Sequence, residues 1–217
     1  MSHNPQDGAG PAGQEKSARA YDARLAEIVV RPLVHTPISP NMLTVFGMLV
    51  GLTSCWLFSR GNPVLANWGG LCFMFAVFMD HVDGAHARSS GKTSRFGHYL
   101  DHFGAATTYC AGFIGIGLGA GGELTGDWGP WLGLITAVSI TVIFSVRMRV
   151  ELQHGAEVVE QTPRAGFEIE DILYLVGPVA WLGWLEGFIL AAGIGTPIFL
   201  IWVLWDAWRL SRREAKA

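Results

Sequence analysis

The chain has 217 residues, of which 50% are hydrophobic and only 15% are charged, and its net charge is −3. This composition lies outside the range of ordinary soluble domains and predicts an integral membrane protein. Because the net charge is negative and the basic residues are spread along the chain, a nucleic-acid partner is not expected. Cys55, Cys72 and Cys110 lie in apolar runs without paired spacing, which predicts reduced thiols and no metal site built on them.

The N-terminal part of the chain divides into two segments. Residues 1–16 are mostly Gly, Pro and polar residues, which predicts a disordered tail. Residues 17–34 place apolar side chains at helical spacing opposite charged ones, which predicts an amphipathic helix at the membrane interface. The alternative is a short cytosolic helix packed on the protein. Residues 17–217 are expected to form a single membrane domain.

Apolar runs after the amphipathic segment predict an all-α fold with six transmembrane helices. The last run is too long for one crossing, which takes about 20 residues, and is therefore counted as two. Basic residues concentrate before span 1, between spans 2 and 3, between spans 4 and 5, and after span 6. The positive-inside rule then places both termini and the loop after span 2 in the cytoplasm. The predicted spans are residues 43–59, 64–88, 97–118, 131–150, 168–184 and 187–208.

Acidic residues interrupt the apolar sequence at the end of span 2 and the start of span 3, where charges are costly and usually mark a site. Asp80 and Asp83 lie one turn apart on one helix face, which Ala87 continues without bulk. Asp101 begins a second such face on the next helix. Three carboxylates from two adjacent helices predict a site for a hard cation such as Mg²⁺ or Mn²⁺, and without a cation they would repel one another.

The residues around these carboxylates favour a phosphate ligand. Gly84 and Ala87 leave room for a ligand against the helix backbone, and Arg88, Lys92 and Arg95 supply positive charge. Together with a cation site, this pattern predicts metal-assisted handling of a phosphate ester. The alternative is that the carboxylates only end a helix and the arginines only set the topology, but the joint spacing of all these residues argues against it.

The stretch from Asp80 to Asp101 reads D-x2-D-G-x2-A-R-x8-G-x3-D and resembles the signature of the CDP-alcohol phosphotransferases, which continues with x3-D. The segment Ser39-Pro40-Asn41-Met-Leu-Thr44 resembles the Pro-Asn-x-x-Thr segment of the same family. The predicted amphipathic helix and six spans also fit this family. The resemblance therefore covers nearly the whole chain.

The resemblance implies a transferase of phospholipid synthesis. Such an enzyme moves a phospho-alcohol group from a CDP-linked donor to the hydroxyl of a lipid or alcohol acceptor and releases CMP. The resemblance also implies one or two divalent cations on the aspartates, and a homodimer. The expected metal ligands are Asp80, Asp83 and Asp101. The expected substrate-binding residues are Asp80, Asp83, Gly84, Ala87, Arg88, Arg95 and Gly97.

The chain departs from the signature at Ala105, where the family has a fourth aspartate that serves as the catalytic base. Alanine can neither accept a proton nor bind a cation. Three explanations stay open: a deliberate aspartate-to-alanine change that leaves the fold intact, a natural variant with another base, and a catalytically silent relative that binds without turnover. His98 and His102 lie one turn apart and are the candidate substitute bases, although interfacial hydrogen bonding accounts for them as well.

The donor and acceptor also stay open. The pair Asp101-His102 resembles the choline and ethanolamine branch of the family, whereas the compact length suits bacterial enzymes that use CDP-diacylglycerol and a polar alcohol. A function of another class is a membrane cation transporter with its ion site at Asp80, Asp83 and Asp101, but spans 1, 4 and 6 offer almost no polar residues for a pathway. The expected location is the bacterial inner membrane, with the site facing the cytoplasm.

Overall fold

The chain is mostly helical in the two ranges that the computed structural model describes, residues 21–154 and 169–214. No β-strand occurs in these ranges, which confirms the all-α prediction. The predicted disordered tail, the beginning of the predicted interfacial helix and residue 168 lie outside the described residues. The helices are α1 (Tyr21–Leu33), α2 (Pro40–Ser59), α3 (Pro63–Ser90), α4 (Arg95–Gly119), α5 (Gly129–His154), α6 (Val176–Trp181) and α7 (Leu185–Glu214), with 3-10 helices at Gly126–Trp128 and Ile169–Leu175.

Within residues 21–154 and 169–214, four helical segments are long and apolar enough to cross a membrane. Helix α4 is not among these four; it has 25 residues, and its first two turns carry Arg95, His98 and Asp101. The four segments alone are sufficient for an integral membrane protein. They are Pro40–Ser59, Pro63–Ser90, Gly126–Val150 and Leu185–Arg212.

The fifth predicted span differs from a regular transmembrane helix. Its described part is the 3-10 helix Ile169–Leu175 followed by α6, which ends before Gly183. At about 2.0 Å of rise per residue in the 3-10 helix and 1.5 Å in α6, this part is roughly 23 Å long, less than the ~30 Å of a bilayer core. Pro178 lies in the first turn of α6, where its missing N–H is tolerated. The α-helix ends soon afterwards, and Gly183 then adopts a left-handed φ of 72°.

The helices next to the acidic stretch begin at well-defined caps. Ser39 precedes Pro40 at the start of α2, and its hydroxyl accepts a hydrogen bond from the Met42 amide at 3.3 Å. Ser94 caps α4 in the same way, accepting from the Gly97 amide at 2.9 Å. A serine at the N-cap, with or without a proline at the next position, is a sequence signal for the start of a helix. These caps bring the first turns of α2 and α4 beside the last turns of α3.

Helix α1 packs on the outer side of α3. Ala26 and Val30 are buried in a cluster with residues of α3, while Leu25, Ile28 and Val29 on another face are exposed. The sequence pattern correctly predicts a helix with an apolar face, but the packed face is the one with Ala26 and Val30. The exposed apolar face is compatible with a position of α1 at the membrane interface, which stays a prediction. The α3 side of the buried cluster consists of Met79, Val82 and Ala85.

The main core is formed by residues of all the helices from α2 to α7 and depends on close helix contacts. Phe73 of α3, Phe113 and Ile116 of α4, and Ile189 of α7 are buried in one cluster with Phe58 of α2. Glycines let the backbones approach where a side chain would not fit. This packing fixes the relative position of α3 and α4, which carry the acidic residues.

Replacing Gly115 with alanine is expected to lower the melting temperature by several degrees. An added Cβ would lie 2.7 Å from the Cα of Cys55 and 2.9 Å from its carbonyl carbon, so α2 and α4 would have to separate. Overpacking of this kind costs about 1–3 kcal/mol. The matched control is Gly195→Ala in α7, where an added Cβ meets no atom within 4 Å. Equal melting temperatures for the two variants would contradict the close contact.

Candidate active site

Three carboxylates from two helices meet at one end of the helical bundle. Asp80 and Asp83 come from the last turns of α3, and Asp101 comes from the second turn of α4. Carboxylate oxygens of the three residues lie within 4.8 Å of one another. The predicted convergence of two helix faces is therefore present in the structure.

A divalent cation fits this group of carboxylates. Asp83 is only 2% exposed, and neither of its carboxylate oxygens has a hydrogen-bond partner in the described part of the chain. Thr44 lines a cavity with Asp83, but its hydroxyl donates to the Pro40 carbonyl at 3.2 Å. A buried carboxylate without a partner is costly, and neighbouring carboxylates add repulsion. Oxygen-binding cations such as Mg²⁺ and Mn²⁺ suit this site on both counts.

A cavity of about 220 Å³ opens beside the carboxylates. Two exposed basic residues, Arg88 and Lys92, line the cavity. The acidic residues Asp83 and Asp101 line it as well. A cavity with both signs of charge suits a phosphate ligand that is bound together with a cation. Its lining residues are Pro40, Asn41, Thr44, Asp83, Gly84, Ala87, Arg88, Lys92, Thr93, Ser94, Gly97, His98 and Asp101.

Most of the predicted substrate-binding residues line this cavity, but not all of them. Asp80 lines a smaller cavity, which shares Thr44 and Asp83 with the larger one. Arg95 is exposed and lines neither cavity, so the structure does not bring it to the site. Lys92, which precedes the cap of α4, is the basic residue that joins Arg88 instead.

Two glycines of the signature leave space for neighbouring side chains to lie close to the helix backbone. A Cβ added to Gly84 would lie 3.3 Å from Nη1 of Arg88, so the glycine lets the guanidinium group lie close to the α3 backbone. A Cβ added to Gly97 would lie 3.1 Å from Oδ1 of Asn41. Gly97 therefore allows the first turn of α4 to approach the first turn of α2. Both contacts border the cavity.

Ala105 lies deeper in the bundle, next to two of the three aspartates. It is 7% exposed and lines the smaller cavity, of about 10 Å³ for water centres, together with Asp80, Asp83 and Tyr109. This cavity is close to the smallest that holds one water molecule. The alanine methyl group offers no ligand atom. An aspartate at this position would place a fourth carboxylate against the same group.

The profile of the CDP-alcohol phosphatidyltransferase family matches residues 37–208. The chain belongs to this family. Archaetidylinositol phosphate synthase of Pyrococcus horikoshii is 36% identical over 93 residues, which are 43% of this chain and 48% of that protein. Phosphatidylinositol phosphate synthase of Streptomyces avermitilis is 33% identical over 92 residues, 42% of this chain and 37% of that protein. The matched region thus spans less than half of the length of these two relatives.

Solved structures share the helical fold of this chain. The crystal structure of Mycobacterium tuberculosis phosphatidylinositol phosphate synthase with CDP-DAG bound has a TM-score of 0.62 and 22% identity, and the match covers 85% of this chain and 94% of that one. The same enzyme in complex with manganese and citrate has a TM-score of 0.57 and 22% identity, with 83% and 88% covered. At this identity the likeness establishes the fold alone.

The two candidate substitute bases of this chain are placed differently. His98 lines the large cavity. His102 lies 24% exposed outside both cavities; its Nδ1 is 3.1 Å from the His98 carbonyl oxygen and 3.8 Å from Oδ2 of Asp101. Because a carbonyl only accepts, Nδ1 of His102 carries the proton in this arrangement. His98 is therefore better placed than His102 to meet a substrate in the cavity.

Sequence reasoning about the site missed several residues. Asn41 and Thr44 line the large cavity although they lie about 40 residues before the acidic stretch. The signal for them was the Pro-Asn-x-x-Thr segment, which was used only as support for the resemblance. Tyr109 lines the smaller cavity and His86 is buried on α3, and neither stands at a fixed position of the signature, so the motif did not mark them.

Proposed function

We propose that the chain binds a CDP-linked alcohol and a divalent cation at the three carboxylates and has the site of a CDP-alcohol phosphotransferase. The observation that carries this proposal is the group of carboxylate oxygens within 4.8 Å of one another beside a cavity that also contains Arg88 and Lys92. In the family reaction, the acceptor hydroxyl oxygen bonds to the phosphorus that carries the donor alcohol. The bond from that phosphorus to the bridging oxygen breaks, and CMP leaves with the bridging oxygen.

Each part of the cavity has a role in this reaction. Asp80, Asp83 and Asp101 would hold Mg²⁺ or Mn²⁺, which supplies charge neutralisation on the diphosphate oxygens when bound. Arg88 and Lys92 would pair with the phosphates from the exposed side. Gly84, Ala87 and Gly97 keep the helix surfaces low so that the nucleotide can lie against them.

The chemical step of this chain is expected to be impaired. The acceptor hydroxyl must lose a proton as it attacks, and a positioned base contributes typically 10²- to 10⁴-fold to such a step. Ala105 cannot act as that base. His98, which lines the cavity, is the residue that would take the proton if the chain turns over at all.

The donor proposed here is CDP-diacylglycerol, and the acceptor is a polar alcohol. Support comes from two curated relatives, named as inositol phosphate lipid synthases, and from a structurally similar enzyme solved with CDP-DAG bound. The apolar, membrane-crossing helices around the site suit a lipid-linked donor. Six crossings, cytoplasmic termini and active site, a location in the bacterial inner membrane and a homodimer complete the proposal; the topology rests on the distribution of basic residues, and the homodimer on the family resemblance.

Binding of a cytidine nucleotide is expected to depend on a divalent cation. Titration of CMP and of CDP-diacylglycerol into purified protein in detergent should give saturable binding with Mg²⁺ or Mn²⁺ present. After EDTA, the affinity for both ligands should fall about tenfold or more, because their phosphate groups would then face bare carboxylates. AMP is the control for non-specific binding. Cation-independent binding, or cation flux in proteoliposomes without nucleotide binding, would contradict the proposal.

A further inference from the structure

A histidine of α3 is completely buried and bonds across the fold to another segment. His86 is 0% exposed, and its Nε2 lies 2.9 Å from the carbonyl oxygen of Ile38, 48 residues away. A carbonyl oxygen only accepts, so Nε2–H is the donor. The other ring nitrogen, Nδ1, is buried without a hydrogen-bond partner in the described residues. Burying a polar imidazole ring is unfavourable, and the hydrogen bond to Ile38 offsets part of this desolvation cost.

The accepting carbonyl belongs to the loop between α1 and α2. The hydroxyl of Thr36 donates to the Leu33 carbonyl at 2.7 Å and accepts from the Ile38 amide at 3.3 Å, which holds Ile38 from the α1 side. Ser39, which follows Ile38, is the cap of α2. The Ile38 carbonyl therefore lies one residue before the cap of α2, so a hydrogen bond to it restrains the start of this helix.

The first turns of α2 carry residues of the large cavity. Pro40, Asn41 and Thr44 line it from the α2 side, opposite Gly84, Ala87 and Arg88 of α3. His86 lies on α3 among these residues, but it does not line the cavity itself. Its hydrogen bond joins the two walls of the cavity directly behind the lining residues.

We propose that His86 is a positioning residue that fixes the start of α2 against α3 and so holds Asn41 and Thr44 at the nucleotide cavity. Residue 86 falls on an unconstrained position of the signature, so the signature itself assigns it no role. The link to nucleotide rests on the proposed function. The link to the loop rests on the hydrogen bond alone and can be measured separately.

Four variants test this role. His86→Leu removes the donor, and His86→Asn keeps a polar amide that is too short to reach Ile38. His86→Gln places an amide N–H₂ at about the distance of Nε2 and should restore the bond. His35→Leu is the matched control, because His35 is an exposed histidine of the same loop. If His86→Leu does not fold, the comparison of His86→Asn with His86→Gln decides the question.

The first measurement is amide hydrogen exchange at Met42 and Leu43, whose amides bond to the Ser39 carbonyl at the start of α2. Exchange is expected to be about tenfold faster in His86→Leu and His86→Asn, and unchanged in His86→Gln and His35→Leu. The second is the Kd of CMP with Mg²⁺, which should rise about tenfold in the first two variants. Mn²⁺ binding without nucleotide, followed by electron paramagnetic resonance, should stay within twofold in all four.

Unchanged exchange in both His86→Leu and His86→Asn would overturn the role of His86. Loss of Mn²⁺ affinity in parallel with CMP affinity, or no rescue by His86→Gln, would reduce His86 to a general packing residue and overturn it too. Absence of CMP binding in the unaltered protein would instead overturn the proposed function. The two failures are therefore distinguishable.

Discussion

Changing Ala105 to aspartate is expected to raise the rate of CMP release from CDP-diacylglycerol by about 10²- to 10⁴-fold, the usual contribution of a positioned base. The added carboxylate would lie in the small cavity lined by Asp80 and Asp83, one helical turn after Asp101. It could there accept the proton of an acceptor hydroxyl. The measurement is CMP release in proteoliposomes with Mg²⁺ and a panel of polar alcohols, compared with the unaltered chain.

Ala105→Asn is the matched control, because it has the shape of aspartate but cannot take the proton. It should bind CMP as well as Ala105→Asp and show no increase in rate. Because the site would then hold four carboxylates, Ala105→Asp should also depend more on Mg²⁺ for its melting temperature than the unaltered chain does. No gain in rate would contradict the idea that only the base is missing. If turnover of the unaltered chain were then lost in His98→Asn, the base would be His98.

Part of the geometry around the acidic residues follows from local rules. Asp80 and Asp83 share a face because helical spacing requires it, and Ser39 and Ser94 start helices because their side chains accept from free amides. The meeting of Asp101 with the α3 pair needed one further step, the packing of adjacent helices.

Features that depend on packing between distant segments were less predictable. Periodicity alone could not show that α1 buries Ala26 and Val30 instead of its larger apolar residues, because the shape of α3 selects the face. By charge alone, Arg95 and Lys92 were equally good candidates for phosphate binding. The end of α3 and the cap of α4 decide between them, and Lys92 is the one that lines the cavity. The bond from His86 to Ile38 joins residues 48 apart, which no local pattern encodes.

Changing Asp83 to asparagine is expected to weaken Mn²⁺ binding at least 100-fold and to abolish cation-dependent binding of CMP. Asp83 is the most buried of the three carboxylates, and its oxygens have no other partner in the described residues. Its charge would therefore be compensated mainly by the cation. Without a cation, the variant should be at least as stable as the unaltered protein, because a buried charge next to Asp80 and Asp101 has been removed.

Melting curves with and without Mg²⁺ separate this effect from simple unfolding. The unaltered protein should gain stability with Mg²⁺ as RT ln(1 + [L]/Kd), whereas Asp83→Asn should gain almost none. Asp127→Asn is the matched control, because Asp127 is exposed in the 3-10 helix before α5, outside both cavities. It should behave like the unaltered protein in every measurement. If Asp83→Asn kept its Mn²⁺ and CMP affinities, the proposed cation site at the three carboxylates would be wrong, because this variant lacks the most buried of its three ligands.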